Sequence, residues 1–170
     1  MASRLSVYLF AALLSVCVLF ALRNIPSLPD NVAIHFNLKN EADGWVSRDQ
    51  YRVFILLFLV GLPLLLVGVM AWLPRLTSGK GQIPNCEYWF AAERRGETER
   101  FLLSHALWLG CFTVAIIYGV HVLIERANSL VPPTLAVDRL TVMLVIYLCG
   151  LVWWFAAFMR HFRTVTGNRD

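Results

Sequence analysis

The stretch Ile25-Pro26-Ser27-Leu28-Pro29-Asp30-Asn31-Val32-Ala33-Ile34-His35-Phe36-Asn37, continued through Asp43-Gly44-Trp45, decides how the chain is read. It is dense in Pro, Asp, Asn and Gly and holds one of the four histidines, while the blocks on either side are apolar. Val32, Ile34 and Phe36 fall on one side of an extended chain, and Ala33, His35 and Asn37 on the other. That is the period of a half-buried strand. Asp43-Gly44 has the composition of a tight turn, and Trp45-Val46 would then supply a short return strand. The expectation is a small hairpin lying on a membrane by its aliphatic face. A hairpin is marginal alone in water, so it has to dock on helix ends.

Outward from this stretch lie four apolar blocks, at 5–22, 53–73, 101–124 and 140–159, and none contains Asp, Glu, Lys or Arg. Each is close to the length that crosses about 30 Å of hydrocarbon at about 1.5 Å per residue. The whole chain of 170 residues is 58% apolar and 15% charged, with a mean hydropathy of +0.62. Soluble domains run at about 45–50% and about 25%. A soluble core helix of this length would show a polar face. The expected fold is therefore all-α, a single polytopic membrane domain of four transmembrane helices. A short extracytoplasmic β-hairpin-like segment, residues 24–51, joins helices one and two. No small-x-small cleavage site precedes Arg23, so the first block is expected to remain as a helix rather than leave as a signal peptide.

Lys and Arg set orientation. Arg4, Arg75, Lys80, Arg94, Arg95, Arg100, Arg160, Arg163 and Arg169 fall on one side; Arg23, Lys39, Arg48, Arg52, Arg126 and Arg139 fall on the other. The nine against six place both termini in the cytoplasm and the hairpin outside. The net charge of +4 then suits anionic lipid at the inner face, and nucleic acid is not needed to explain it. The four cysteines are spread one per segment, which is no disulfide framework and no metal-ligand spacing.

Pro63 inside the second block removes a donor and is expected to kink that helix. Ser104, Cys111, Ala115 and Gly119 form a small-residue stripe on the third, where a neighbouring backbone can approach closely. Tyr51, Trp72, Trp89 and Trp153 sit near block ends, as interfacial aromatics do. The inner loop, residues 74–100, contains Ser78-Gly79-Lys80-Gly81, a turn that lacks the spacing of a phosphate loop. Glu97 and Glu99 favour the start of the third helix through its dipole. The connection around Pro132-Pro133 is short and stiff, and is expected to pack beside the first outer segment.

Leu28-Pro29-Asp30, His35-Phe36-Asn37 and Ala42-Asp43-Gly44-Trp45 together resemble the signature of a domain of unknown function found in bacterial membrane proteins. The same domain forms the N-terminal part of the immunity proteins that protect against the sporulation-delaying toxin. Pro84-Asn85, Tyr88-Trp89, Glu93-Arg94-Arg95 and Thr98 resemble a second stretch shared by such proteins. The family usually has Gly where this chain has Asn40, and Asn tolerates the left-handed region better than most residues. The immunity proteins carry a further multi-helix half that this sequence does not show, so immunity is not simply carried over. The resemblance implies a bacterial inner-membrane protein of uncharacterised role.

Among chemistries, His35, His121, Glu125 and Asp138 form the one set with zinc-like donors, drawn from three segments without a tight pattern. The blocks hold no charged group of the kind ion-coupled carriers use. Asp30, Asp43 and His35 are a candidate cluster in the outer segment, where both acids otherwise serve turns. The expectation is a non-enzymatic protein with no cofactor and no resident metal, immunity-like or signalling-like. It would bind an extracytoplasmic peptide, envelope component or partner protein. The other class left open is a small-solute or metal-binding membrane protein, or one subunit of an oligomeric permease; a homo-oligomer fits either class. The expected binding residues are Pro29, Asp30, His35, Asn37, Asp43, Gly44 and Trp45 outside, with Asn85, Tyr88, Trp89, Glu93 and Arg94 inside.

Overall fold

The computed structural model describes residues 2–164; Arg169, counted above with the inner charges, lies outside them. Helix α1 spans Ala2–Asn24 and runs into a 3-10 turn, Ile25–Ser27, where Pro26 stops the helix. Strands β1, Asn31–Phe36, and β2, Ala42–Ser47, form an antiparallel pair. Helix α2, Arg48–Leu56, continues through a π-helical turn, Leu57–Gly61, into α3, Leu62–Thr77. The short α4 is Cys86–Trp89, the long α5 is Arg95–Asn128, and α6 is Val137–Arg163.

Four helices among the described residues are long and apolar enough to cross a membrane: Arg4–Ser27, Arg48–Thr77, Arg95–Asn128 and Val137–Arg163. Each runs past its apolar block at both ends. Hydropathy marks the hydrocarbon, whereas a helix stops only where its backbone is capped. Thus α2 begins at Ser47, whose hydroxyl accepts the Gln50 N–H at 3.2 Å while the Gln50 side chain takes the Ser47 N–H at 3.0 Å. This reciprocal cap satisfies two donors that a helix start otherwise leaves open. At the far end of α3, Ser78 adopts φ 50° and the Gly79 N–H returns to the Pro74 carbonyl at 2.8 Å.

Before Pro63 the structure shows a π turn in the helix. Proline has no N–H for the carbonyl four residues before it, and the π turn lies directly upstream and includes that residue, Leu59. A wider turn is a common way to absorb such a defect.

Helix α5 is the hub. Phe10, Cys17 and Ala21 of α1, Leu59 of the π turn, and Val67 of α3 pack with Ala106, Leu107, Cys111 and Val114 of α5. Two glycines of α5 admit close side chains, and at Gly110 a Cβ would lie 2.6 Å from the Phe10 ring and 2.8 Å from Val67. The expected stripe is thus split between two faces. Cys111 is buried in the α1–α3 cluster, whereas Gly119 lies against Met143 of α6. A Cβ at Gly119, within the stripe, would come closer to the Met143 sulfur than one at Gly110, outside it, comes to Phe10, and at both positions the neighbour is a side chain rather than a backbone.

The hairpin exists, with its turn elsewhere than expected. Asp43 and Gly44 lie inside β2, and the chain reverses at residues 37–40. Asn37 drives this turn. Its Oδ1 accepts the N–H groups of Lys39 and Glu41 at 2.8 and 3.1 Å, and its own N–H reaches the Glu41 carbonyl at 2.9 Å. Asn40 takes φ 65°, the left-handed conformation that suits Asn better than most side chains. The strict alternation of β1 also fails. Register shifts fall between Ala33 and His35 and again between His35 and Phe36, so Ile34 and then Asp43 are extra residues on their strands. Val32 and Ala33 are consequently both buried, against Tyr51 and Ile55 below and against Asn128 beside. Ile34 and Val46 roof an apolar groove of about 280 Å³ between Phe54, Phe58 and Ile116, so the aliphatic side of the sheet does face the helices.

Candidate functional site

The predicted residues form two separate groups at opposite ends of the helices. At one end the hairpin is fastened by side chains acting on backbone. The Asn128 amide accepts the Ala33 N–H at 2.8 Å and donates to the Ala33 carbonyl at 2.9 Å. It thereby does for β1 what a neighbouring strand would do. The Arg48 N–H bonds the Asp30 carbonyl at 2.9 Å, and its guanidinium meets the Asp30 carboxylate at 2.5 Å. Glu41 bridges to Thr134, so the connection between α5 and α6 does lie beside the first outer segment.

His35 stands on the exposed side of β1, with Nδ1 2.5 Å from the Asp43 carboxylate. An ionised carboxylate only accepts, so Nδ1 carries the proton in this contact. Gly44 sits opposite His35, and a Cβ there would lie 2.7 Å from the His35 Cβ. The glycine is thus required by cross-strand space, while its backbone is ordinary. Trp45, opposite Ala33, leaves about half its surface exposed. Pro29 lines a polar cleft of about 500 Å³ between the ends of α1 and α5, with Asn24, Glu125 and Arg126.

The two acids and the histidine considered together in the sequence fall into separate pairs. Asp43 joins His35, and Asp30 joins Arg48. The four zinc-like donors also separate. His121 is fully buried with Nδ1 2.8 Å from the Tyr51 hydroxyl, and Glu125 accepts from Asn24 at 3.3 Å. No three His, Cys, Asp or Glu among the described residues are placed to share a metal. Tyr51 is therefore a buried partner of His121 rather than an interfacial aromatic.

At the opposite end, Asn85 (φ 54°) and Trp89 both donate to the Phe162 carbonyl, at 3.1 and 3.0 Å. Carbonyls in the last helical turn lack helix partners, so two side chains from the loop cap α6. The buried Thr98 hydroxyl in turn donates to the Trp89 carbonyl at 2.7 Å. Arg94 lies 4.0 Å from the centre of the Tyr88 ring, which packs edge-on against Trp89. Glu93 is exposed, and Glu99 holds Arg95 and Arg75 at 3.1 and 3.5 Å. Deeper in, His105 Nε2 donates to the Trp154 carbonyl at 3.1 Å while Trp154 Nε1 donates to the His105 carbonyl at 3.0 Å. These inner residues hold α4, α5 and α6 together.

Asn128, Thr134 and Phe162 were not singled out by sequence reasoning. An Asn near a helix end reads as a stop signal, and nothing local reports that it will serve a strand 95 positions away.

Residues 12–67 match a family model described as Domain of unknown function (DUF1648). The match takes in most of α1, the whole hairpin and the helix up to Val67, about a third of the chain, and stops short of the inner loop. No curated protein and no solved structure matches the chain.

Proposed function

We propose that this chain is a multi-pass protein of the bacterial inner membrane, with both termini cytoplasmic, that acts by binding a peptide or protein partner on its extracytoplasmic cap. One observation carries the reading. Leu38 at the hairpin turn and Val131 on the adjoining connection are fully exposed, and Trp45 and Leu130 are half exposed. These side chains stand on a cap whose backbone is tied down by Asn37, Asn128 and the Glu41–Thr134 bridge. Exposed apolar side chains on two segments joined by the Glu41–Thr134 bridge favour an interaction surface, and a pre-ordered scaffold lowers the entropy lost on binding. The cap's polar groups favour binding over catalysis, because the side chains of Asn37, Ser47 and Asn128 all serve the backbone and the Asp30 carboxylate is paired with Arg48.

A photoreactive amino acid placed in cells at position 38, and separately at 45, tests this. The expected result is a discrete crosslinked protein or peptide from both positions that disappears when Val131→Asp is added. Crosslinks to lipid alone would overturn the reading and make these residues membrane anchors.

A further inference from the structure

The inner halves of α5 and α6 enclose a groove of about 810 Å³ that the cap does not use. Phe101, Trp108 and Phe112 wall it from α5, and Trp153 and Trp154 wall it from α6. The reciprocal His105–Trp154 bonds form its floor and fix the separation of the two helices. The stack of Phe101 on His161, with ring centres 3.6 Å apart, closes it towards α4. Phe101 and Phe112 are eleven residues apart, so the apolar wall runs about 16 Å along α5. The mouth is of opposite character. Arg160 and Thr164 stand there, and neither Asp nor Glu lines any part of the groove. No ion pair to Arg160 exists among the described residues.

We infer that this groove is a binding site for one anionic phospholipid, with an acyl chain along Trp108 and Phe112 and the phosphate headgroup at Arg160. The inference rests on the bilayer placement proposed above and is independent of the cap. Its basis is the match between an elongated aromatic trough with one unpaired cation at the end and a molecule that is apolar along its length and anionic at one end. A free anion would leave the trough empty, and a neutral lipid would leave Arg160 without its partner. A basic side chain at an anionic lipid surface strengthens attraction about fivefold, and a guanidinium can bond phosphate oxygens in pairs.

The test uses tryptophan quenching in phosphatidylcholine vesicles that contain either brominated phosphatidylglycerol or brominated phosphatidylcholine at equal mole fraction. Replacing Trp45 and Trp72 by Phe leaves four tryptophans, three of which line the groove. The expected result is a roughly fivefold tighter quenching isotherm for the anionic lipid. Arg160→Gln abolishes that preference. Arg163→Gln, which removes the same charge from an exposed position outside the groove, keeps it. Equal quenching by the two lipids overturns the inference while leaving the membrane placement intact. So does equal loss of preference in both arginine variants. Absence of quenching by either lipid overturns both the inference and the placement.

Discussion

The hairpin cap and the bracket formed by α4, α5 and α6 at the opposite end solve opposite problems with similar residues. At the cap, polar side chains hold a small sheet still while large apolar ones, Leu38, Val131 and Trp45, are exposed. At the bracket, the large side chains turn into the protein. Phe162 is fully buried, Phe158 nearly so, and Trp89 stacks on His161 with ring centres 4.9 Å apart. The one end displays apolar surface and the other uses it as a lock. Helix α6 has few other attachments, because most of its large residues, Val142 to Val152 among them, face away from the chain. Its hold on the rest depends on the bracket and on the contacts with α5.

The comparison predicts different kinds of failure. Phe162→Ala should have the largest effect, about 3–5 kcal/mol of stability for a buried aromatic truncated to Ala. It should appear as a lowered global melting temperature in detergent, with α6 the first element to gain hydrogen exchange. Unchanged melting would remove the bracket from the account. Asn128→Ala leaves the buried Ala33 N–H and carbonyl without partners, which costs about 1–3 kcal/mol. Gly44→Ala forces β2 away from His35 at a similar cost of about 1–3 kcal/mol. Both should open the cap locally. Trypsin should cut after Lys39 faster than in the parent protein while the helices keep their melting temperature. Equal protection of Lys39 would show that the cap is held by other means. Ser47→Ala should be the mildest, at about 1 kcal/mol for a lost helix cap, seen as faster exchange of the Asp49 and Gln50 amides only.

Much of this architecture was legible from the residues. The four apolar blocks gave the four long helices, and the Pro-, Asn- and Asp-rich interval gave the hairpin and its docking on helix ends. Asn40 was flagged as a left-handed position, and it has φ 65°. The turn itself was misplaced because Asp-Gly suits a tight turn and a crowded bulge equally well. A run of single letters does not reveal that Gly44 faces His35 across two strands, or that Asn37 bonds its own backbone two and four residues on. The inner residues were marked by resemblance, but their use was hidden. Asn85 and Trp89 act on a carbonyl more than seventy positions away. Tyr51 was misjudged for the same reason, its partner His121 being seventy residues distant.

The central claim is that a bilayer separates the cap from the bracket. It is tested most directly by placing single cysteines at Lys39 and at Lys80 in a background with the four natural cysteines replaced, then treating intact cells with a membrane-impermeant maleimide. The account predicts that Lys39→Cys is labelled at once and that Lys80→Cys is labelled only after the membrane is opened. Labelling of both positions in intact cells, or of Lys80→Cys alone, would contradict it.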